Sequence, residues 1–437
     1  MVRIFPDPQA YLEHVARLPS PAGDLEATVR EILARVRDIG DSAVRDYSEQ
    51  FDGIRPANLR VPVDDLERAV AYLDPALKDV WIQAIENIER FHQRQREDSR
   101  LEFFDDGTVL GWRVTPVERV GIYIPGGRAV YTSSLLMNVI PAKIAGVPRI
   151  VLTSPPSRDG LPHRDIMAAA ALLDVNEVYA IGGAQAIGAL AYGTESVPHV
   201  QKITGPGNRW VAEAKRQVYG VVGIDSVAGP SEILILCDIQ TKPEYLVRDL
   251  LAQAEHDTDA RALLITTDRA QAETVAERLR ELIPTLPRKE IIRASFEGAS
   301  GIVLVDDVDQ GIEMVNEIAP EHLEILTPDP FTTLNHIRNA GAIFLGEHTP
   351  EPVGDYFAGP NHVIPTGGRA KFSSPLGVWD FVKRSTVTRY SAERLARDGD
   401  AICLFAEREE LFAHAEAVRA RLPAKAPAAA AASAKRN

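Results

Sequence analysis

At 437 residues the chain is too long for one ordinary hydrophobic core and should divide into two or more domains. With 45% hydrophobic and 25% charged residues the composition is that of a soluble globular protein, and a net charge of -14 without a basic stripe argues against a nucleic-acid binder. The opening MVRIFPDPQAYLEHV has prolines and an aspartate where a signal peptide needs its apolar core, and no apolar run approaches a membrane span, so a cytoplasmic enzyme is expected.

From Arg3 to about Arg100 apolar residues recur at three- and four-residue spacing, which predicts amphipathic helices. His14 and His92 fall within them and read as exposed or half-buried structural residues. From about Val114 the texture changes to short apolar runs that stop at glycine or proline: VGIYIPGG, RIVLTSPP, EVYAIGG and VQKITGPGN, separated by alanine-rich helical stretches. A second series follows in EILILCD, ALLITTD, GIVLVDD, HLEILTPD and GAIFLG. Strand, glycine turn, helix and strand again is the pattern of parallel βαβ units, so two α/β doubly wound, incomplete Rossmann-like domains are expected, with small helical N- and C-terminal segments. The expected division is 1–25 as a helical segment, 26–122 with 232–380 as the first domain, and 123–231 as an inserted second domain. Helices over 381–422 follow, and the tail 423–437 is low-complexity and expected to be disordered.

Only two cysteines occur, Cys237 and Cys403, both in apolar runs, which leaves no disulfide framework, no thiolate metal site and no evident nucleophile. The acid and imidazole side by side at Glu321 and His322, in APEHLEI, suit proton transfer near neutral pH, although such a doublet alone is more often part of a solvated loop or helix end. The glycine turns at Gly126 and Gly127 beside Tyr123, at Gly182 and Gly183 before Gln185, and at Gly205 and Gly207 before Asn208 occupy positions where a phosphate can approach the backbone. None completes GxGxxG, and glycines also serve simply to turn the chain. Gln253 and His256, three apart on a helical run, Asp355 and His362 on a glycine- and proline-rich loop, and His414 with Glu409 in the turn before it are candidate nitrogen and oxygen ligands for zinc or another borderline divalent ion. Their spacing is irregular and does not join them into one site. Ser231 after Gly229 and Pro230 either contacts a substrate or caps the turn, and no GxSxG elbow is present. The remaining histidines, His163, His199, His336 and His348, lack supporting clusters.

Taken together, VGIYIPGG, GGAQAIGALAYG, KITGPGN, AGPSEILI, DLLAQAEH, APEHLE, VGDYFAGPNHVIPTGG and DFVKRSTV closely resemble the histidinol dehydrogenase family, from the N-terminal helices to about Leu422. The resemblance implies a zinc- and NAD-dependent enzyme of histidine biosynthesis that oxidises an alcohol twice through a bound aldehyde. It places zinc ligands at Gln253, His256, Asp355 and His414, substrate contacts at Ser231, His322, His362 and Glu409 as well as at those ligands, cofactor contacts at Tyr123, Gln185 and Asn208, and the proton-transfer pair at Glu321 and His322. It also implies a homodimer in which the C-terminal segment completes the neighbour's site. DTDA after His256 departs slightly from the pattern, since many members carry glycine or proline there. A paralogue acting on another small alcohol, such as a sulfonated diol, shares the APEHLE and GDY regions; AGPSE at Ser231 and the acid at Glu409 favour an amino alcohol. A non-catalytic binding module on the same fold would require the base pair, the ligand set and three glycine turns to coincide by chance.

Overall fold

The computed structural model describes residues 2–18, 24–126, 130–227 and 229–423. Gly127 and the tail from 424 onward, which carried an expected phosphate turn and an expected disordered end, lie outside the described residues. In chain order the strands are β1 (Ile4–Phe5), β2 (Arg100–Phe103), β3 (Val109–Pro116), β4 (Arg119–Tyr123), β5 (Arg149–Ser154), β6 (Val178–Ala180) and β7 (Lys202–Thr204). They continue with β8 (Gly223–Ile224), β9 (Glu232–Cys237), β10 (Arg261–Thr266), β11 (Gly301–Leu304), β12 (His322–Leu326), β13 (Ala342–Leu345) and β14 (Val382–Arg389). Contacts divide the chain into one unit of Met1–Arg96 with Pro116–Val382 and a second of Glu97–Thr115 with Lys383–Asn437.

The first unit contains two parallel sheets. One has the order β6-β5-β4-β7-β8, the doubly wound arrangement in which the strand order reverses beside β4. Both faces are covered, as an all-parallel sheet requires. Helices Val63–Ala71, Pro75–His92, Thr132–Ile144 and Arg164–Leu172 pack with Val120, Ile122 and Leu152 on one side. Helices Leu25–Ile39, Asp41–Asp52, Gly183–Tyr192 and Arg209–Val218 pack with Val151, Tyr179 and Ile203 on the other. The second sheet has the order β1-β11-β10-β9-β12-β13, also parallel. Alternation along β9 sends Ile233, Ile235 and Cys237 to the helices Pro243–Ala254, Arg269–Leu282 and Lys289–Glu297, while Leu234 and Leu236 face helices Pro8–Ala16 and Val308–Ile318.

This packing divides the chain differently from the expectation. The N-terminal helices from Leu25 to His92 cover the β4 sheet instead of joining 232–380, and the boundary expected between 122 and 123 falls inside β4. Only β1 joins the second sheet from before Leu25, so the interruption of that sheet begins near residue 25 and not at 123. An amphipathic helix shows that it has a buried face without showing which sheet it covers. The second unit holds the three-stranded sheet β14-β3-β2 and the helices Ala392–Arg408 and Phe412–Arg419. No helix among the described residues is long and apolar enough to cross a membrane.

Candidate active site

The helix Val308–Ile318 ends at Ala319, which takes a left-handed conformation (φ 52°), and after Pro320 the chain enters β12 with His322 as its first residue. Glu321 and His322 are thus a buried strand entry, 7% and 4% exposed, and the solvated helix end is excluded. β12 lies parallel to β9, with His322 opposite Ile233, and the backbone of Glu232 holds both members of the doublet. Its N–H donates to Glu321 Oε2 at 2.7 Å, and its carbonyl accepts from His322 Nδ1 at 2.8 Å. That second bond fixes the ring with a proton on Nδ1, so that Nε2 is the acceptor whenever the ring is neutral. Nε2 is buried without a hydrogen-bond partner, 3.6 Å from Asp355 Oδ1 and 3.9 Å from Glu351 Oε1.

Burial shapes the charges here. It pushes the Glu321 carboxyl up to about 8, against the pull of His322 and the Glu232 N–H. Burial alone would lower His322, but the charges of Glu321, Glu351 and Asp355 outweigh it and raise the imidazole to about 10. Glu351 is raised to about 7 by burial, whereas Asp355, despite burial, is held low by the His322 imidazole beside it and by the nearby His362 and His256. A site with this much negative potential is suited to a cation.

Of the four candidate ligands, Gln253, His256 and Asp355 lie on that side. Gln253 ends the helix Pro243–Ala254 and is fully buried; His256 lies beyond the helix end, so the two do not share a helical face as expected. His256 has an exposed edge, but the enclosure of its ring and the His322 charge outweigh Asp355 and favour the neutral form that ligates metals. Asp355 sits in the helical turn Gly354–Ala358, a correction to the loop expected there. Ligand atoms of His322, Glu351 and Asp355 lie within 4.8 Å of one another. With its amide nitrogen towards Glu351, Gln253 donates to Oε2 at 2.9 Å and Oε1 at 3.2 Å while its oxygen accepts from the Glu232 N–H at 3.2 Å. The opposite orientation faces oxygen against carboxylate, which is stable only with a cation or proton between them. His362 Nδ1 donates to the Asp355 carbonyl at 2.9 Å, and Nε2 accepts from Ser134 Oγ at 3.1 Å, joining this segment to the helix that follows β4. Burial lowers the His362 pKa.

Ser231 is half-buried and immediately precedes β9. The cofactor candidates form a separate group at the carboxyl ends of the other sheet. Tyr123 ends β4 and its hydroxyl accepts from the Gly183 N–H at 3.2 Å. Gln185 is fully buried with neither amide atom bonded, and Asn208 caps the helix Arg209–Val218 by accepting from the N–H groups of Trp210 and Val211. Glu409 and His414 belong to the second unit, Glu409 at the end of the helix Ala392–Arg408 and His414 on the helix Phe412–Arg419, both exposed. His92, expected exposed or half-buried, is completely buried and bonded to the Ile88 carbonyl at 2.9 Å. Cys237 and Cys403 are buried and free, and burial pushes the Cys237 thiol up to about 11.

Sequence reasoning missed four acids. Glu351 lies four residues before Asp355, Asp249 four before Gln253, and Glu324 two after His322 on the same strand face. Asp249 and Glu324 are hydrogen-bonded to each other and both raised by burial, and Glu324 also accepts from the Glu351 N–H at 3.1 Å. The fourth, Glu232, acts through its backbone, which no residue-type pattern reveals.

Comparison with known proteins agrees with this arrangement. The sequence model of the family described as Histidinol dehydrogenase matches residues 17–422. A histidinol dehydrogenase of Listeria monocytogenes is 50% identical over 91% of this chain and 93% of its own, and that of Pseudomonas aeruginosa is 47% identical over 95% and 96%. The crystal structure of histidinol dehydrogenase from Elizabethkingia anophelis superposes with a TM-score of 0.90 at 34% identity, covering 96% of this chain and 97% of that one. By the extent of these matches, the chain belongs to the histidinol dehydrogenase family.

Proposed function

We propose that the protein is a cytoplasmic histidinol dehydrogenase, oxidising L-histidinol to L-histidine through a bound aldehyde with reduction of two NAD, the last step of histidine biosynthesis. The observation that carries this reading is the clamped doublet, a buried carboxyl and an oriented imidazole whose unpartnered Nε2 faces two further acids. Gln253, His256, Asp355 and His414 offer an amide, two imidazoles and a carboxylate without thiolate, a set that suits zinc. Zinc would supply a template that orients the substrate's imidazole and amino nitrogens, and NAD, held at Tyr123, Gln185 and Asn208, would accept a hydride in each oxidation. The unbonded, fully buried Gln185 amide has the donor and acceptor capacity for such a ligand.

In the first oxidation His322 Nε2 takes the hydroxyl proton as the hydride leaves carbon. Its raised pKa would keep it protonated among the bare acids; with a cation held by the proposed ligands, the field of Glu351 and Asp355 would be offset and Nε2 would be free to accept. In the second, Glu321 removes a proton from the water that adds to the aldehyde; the resulting hydrate loses the second hydride and a hydroxyl proton to give the acid. A carboxyl raised to about 8 exchanges protons near neutral pH, which suits that task. Ser231, His362 and Glu409 complete the substrate contacts, the negative charge of Glu409 matching a cationic substrate. Exposed apolar side chains on the second unit, Phe103, Phe405 and Phe412 among them, support a homodimer in which Glu409 and His414 serve the neighbour's site.

Purified zinc-loaded protein given L-histidinol and NAD should form NADH and L-histidine; turnover of another alcohol, such as a sulfonated diol, with none of L-histidinol would sink the assignment. Glu321→Gln should keep fold and zinc content and slow acid formation from the aldehyde by about 10²–10⁴-fold. An unchanged rate of acid formation would remove Glu321 from the hydration step.

A further inference from the structure

Asn361, beside His362, and His92, at the end of the helix Pro75–His92, are buried polar side chains to which the reaction gives no task. They meet each other. The Asn361 amide nitrogen donates to the Met137 carbonyl at 2.6 Å and to His92 Nε2 at 3.3 Å, while its oxygen accepts from the Val363 N–H at 2.9 Å. His92 Nδ1 donates to the Ile88 carbonyl at 2.9 Å, and burial favours the neutral ring, so Nε2 is free to accept. With both hydrogens and the oxygen engaged by partners in different directions, the planar amide has a single orientation.

Three further contacts fasten the same segment. The Asn87 side chain donates to the Phe357 carbonyl at 2.9 Å. Gly359 takes a φ of 111°, and a Cβ there would come within 2.6 Å of the Asn87 carbonyl oxygen, so its backbone lies directly against the helix. Ser134 bonds His362 Nε2 at 3.1 Å. His92 and Asn87 belong to the helix Pro75–His92, and Met137 and Ser134 to Thr132–Ile144, both of which cover the β4 sheet. Asp355, at the start of the segment, instead approaches His322 on β12 to 3.6 Å. The segment therefore carries a candidate ligand and a candidate substrate contact of one sheet on the helices of the other. Hydride transfer needs its two carbons within about 3–3.5 Å, so whatever fixes the substrate residues against the cofactor's sheet sets that approach.

We infer that Asn361 is a positioning residue: locked by His92 and Met137, it registers the segment from Asp355 to His362 on the helices of the β4 sheet and so sets the distance between substrate and nicotinamide. The inference rests on the zinc- and NAD-dependent reading above. A network that only stabilised the fold would change the number of folded molecules and leave each one's kinetics alone.

The test compares variants of the intact zinc-loaded protein by melting temperature, zinc retained on dialysis against a chelator, and kinetics with L-histidinol and its form deuterated at the carbinol carbon. Asn361→Ala should lower kcat by about 10²-fold, raise the deuterium isotope effect and leave the KM for NAD unchanged. It should also yield zinc to about tenfold less chelator, because Asp355 loses its support. Should that variant not fold, His92→Leu, which removes one lock and keeps Asn361, should shift kcat and the isotope effect in the same directions by about tenfold. His92→Gln, whose amide oxygen can accept in place of Nε2, should restore much of the loss. If the variants differ from wild type in melting temperature alone, with kcat per folded molecule, isotope effect and zinc retention unchanged, the network is structural and the inference fails while the functional reading stands. If wild type forms no NADH from L-histidinol, both fall.

Discussion

At the scale of single residues, the proposed site sets buried acids around an imidazole. Glu351 accepts the Gln253 amide through both oxygens and lies 3.9 Å from His322 Nε2, so it orients a ligand and biases a base at once. Removing such an outer partner typically costs about 10–100-fold in metal affinity. Glu351→Ala should therefore surrender zinc to a chelator at roughly tenfold lower concentration than wild type, read as metal content after dialysis, whereas Glu351→Gln, which keeps an oxygen acceptor, should retain most of it. Glu321 makes a second prediction, in the metal-free protein. Its carboxyl is raised from 4.5 to about 8 in the folded chain, so its stabilising contribution is complete below its ordinary value and lost as pH rises through about 8. Melting temperature should fall between about pH 5 and 8, and Glu321→Gln should flatten that fall; parallel profiles would show that the burial of Glu321 does not govern it.

At the scale of elements, β4 to β7 and β9 to β13 coincide with the apolar runs read from the sequence, because fully buried parallel strands are continuous stretches of valine, isoleucine and leucine. β1, β8 and the strands β2, β3 and β14 were not legible: two are only two residues long, and the others carry many exposed positions. The helix Ala392–Arg408 runs through Gly399, where the absent side chain leaves room for Leu422, which a Cβ would approach to 2.6 Å. The candidate site residues stand out in the sequence only as types, and the structure places Asp355 in a helical turn and His256 beyond its helix; the acids four residues away are unread because isolated carboxylates resemble solvated ones. Asn208 shows how a functional and a structural reading coexist. As the cap of Arg209–Val218 it accepts two backbone N–H bonds. Asn208→Ala should lose about 1 kcal/mol in thermal or denaturant unfolding, while Asn208→Ser, also a good cap, should lose much less. If both variants also raise the KM for NAD equally, the amide contributes to the cofactor site beyond its capping.

At the scale of the whole molecule, the two sheets of the first unit are used at opposite ends. The cofactor candidates follow the carboxyl ends of β4, β6 and β7, as is usual in doubly wound folds, whereas Glu321, His322 and Ser231 stand at the amino ends of β9 and β12. Fold class alone directs attention to the opposite edge of the second sheet from these candidates. The second unit carries Glu409 and His414 on a helical pair bearing the exposed Leu404, Phe405 and Phe412. If a second copy covers that surface, Phe405→Glu should convert the dimer to monomer in sedimentation analysis and abolish activity together, with the first unit still folded. A monomeric variant of full activity would show that each chain completes its own site.

The clamp on the doublet has an unusual vulnerability. Both of its bonds come from the main chain of Glu232, whose buried side chain is engaged separately by Arg261 and the Gly367 N–H, and its geometry is stored in the pairing of β9 with β12. A slip of one residue between those strands would turn the imidazole away from its carbonyl while leaving every catalytic residue in the sequence. What heredity must protect here is alignment as much as identity, and a descendant could lose the chemistry with its motifs intact.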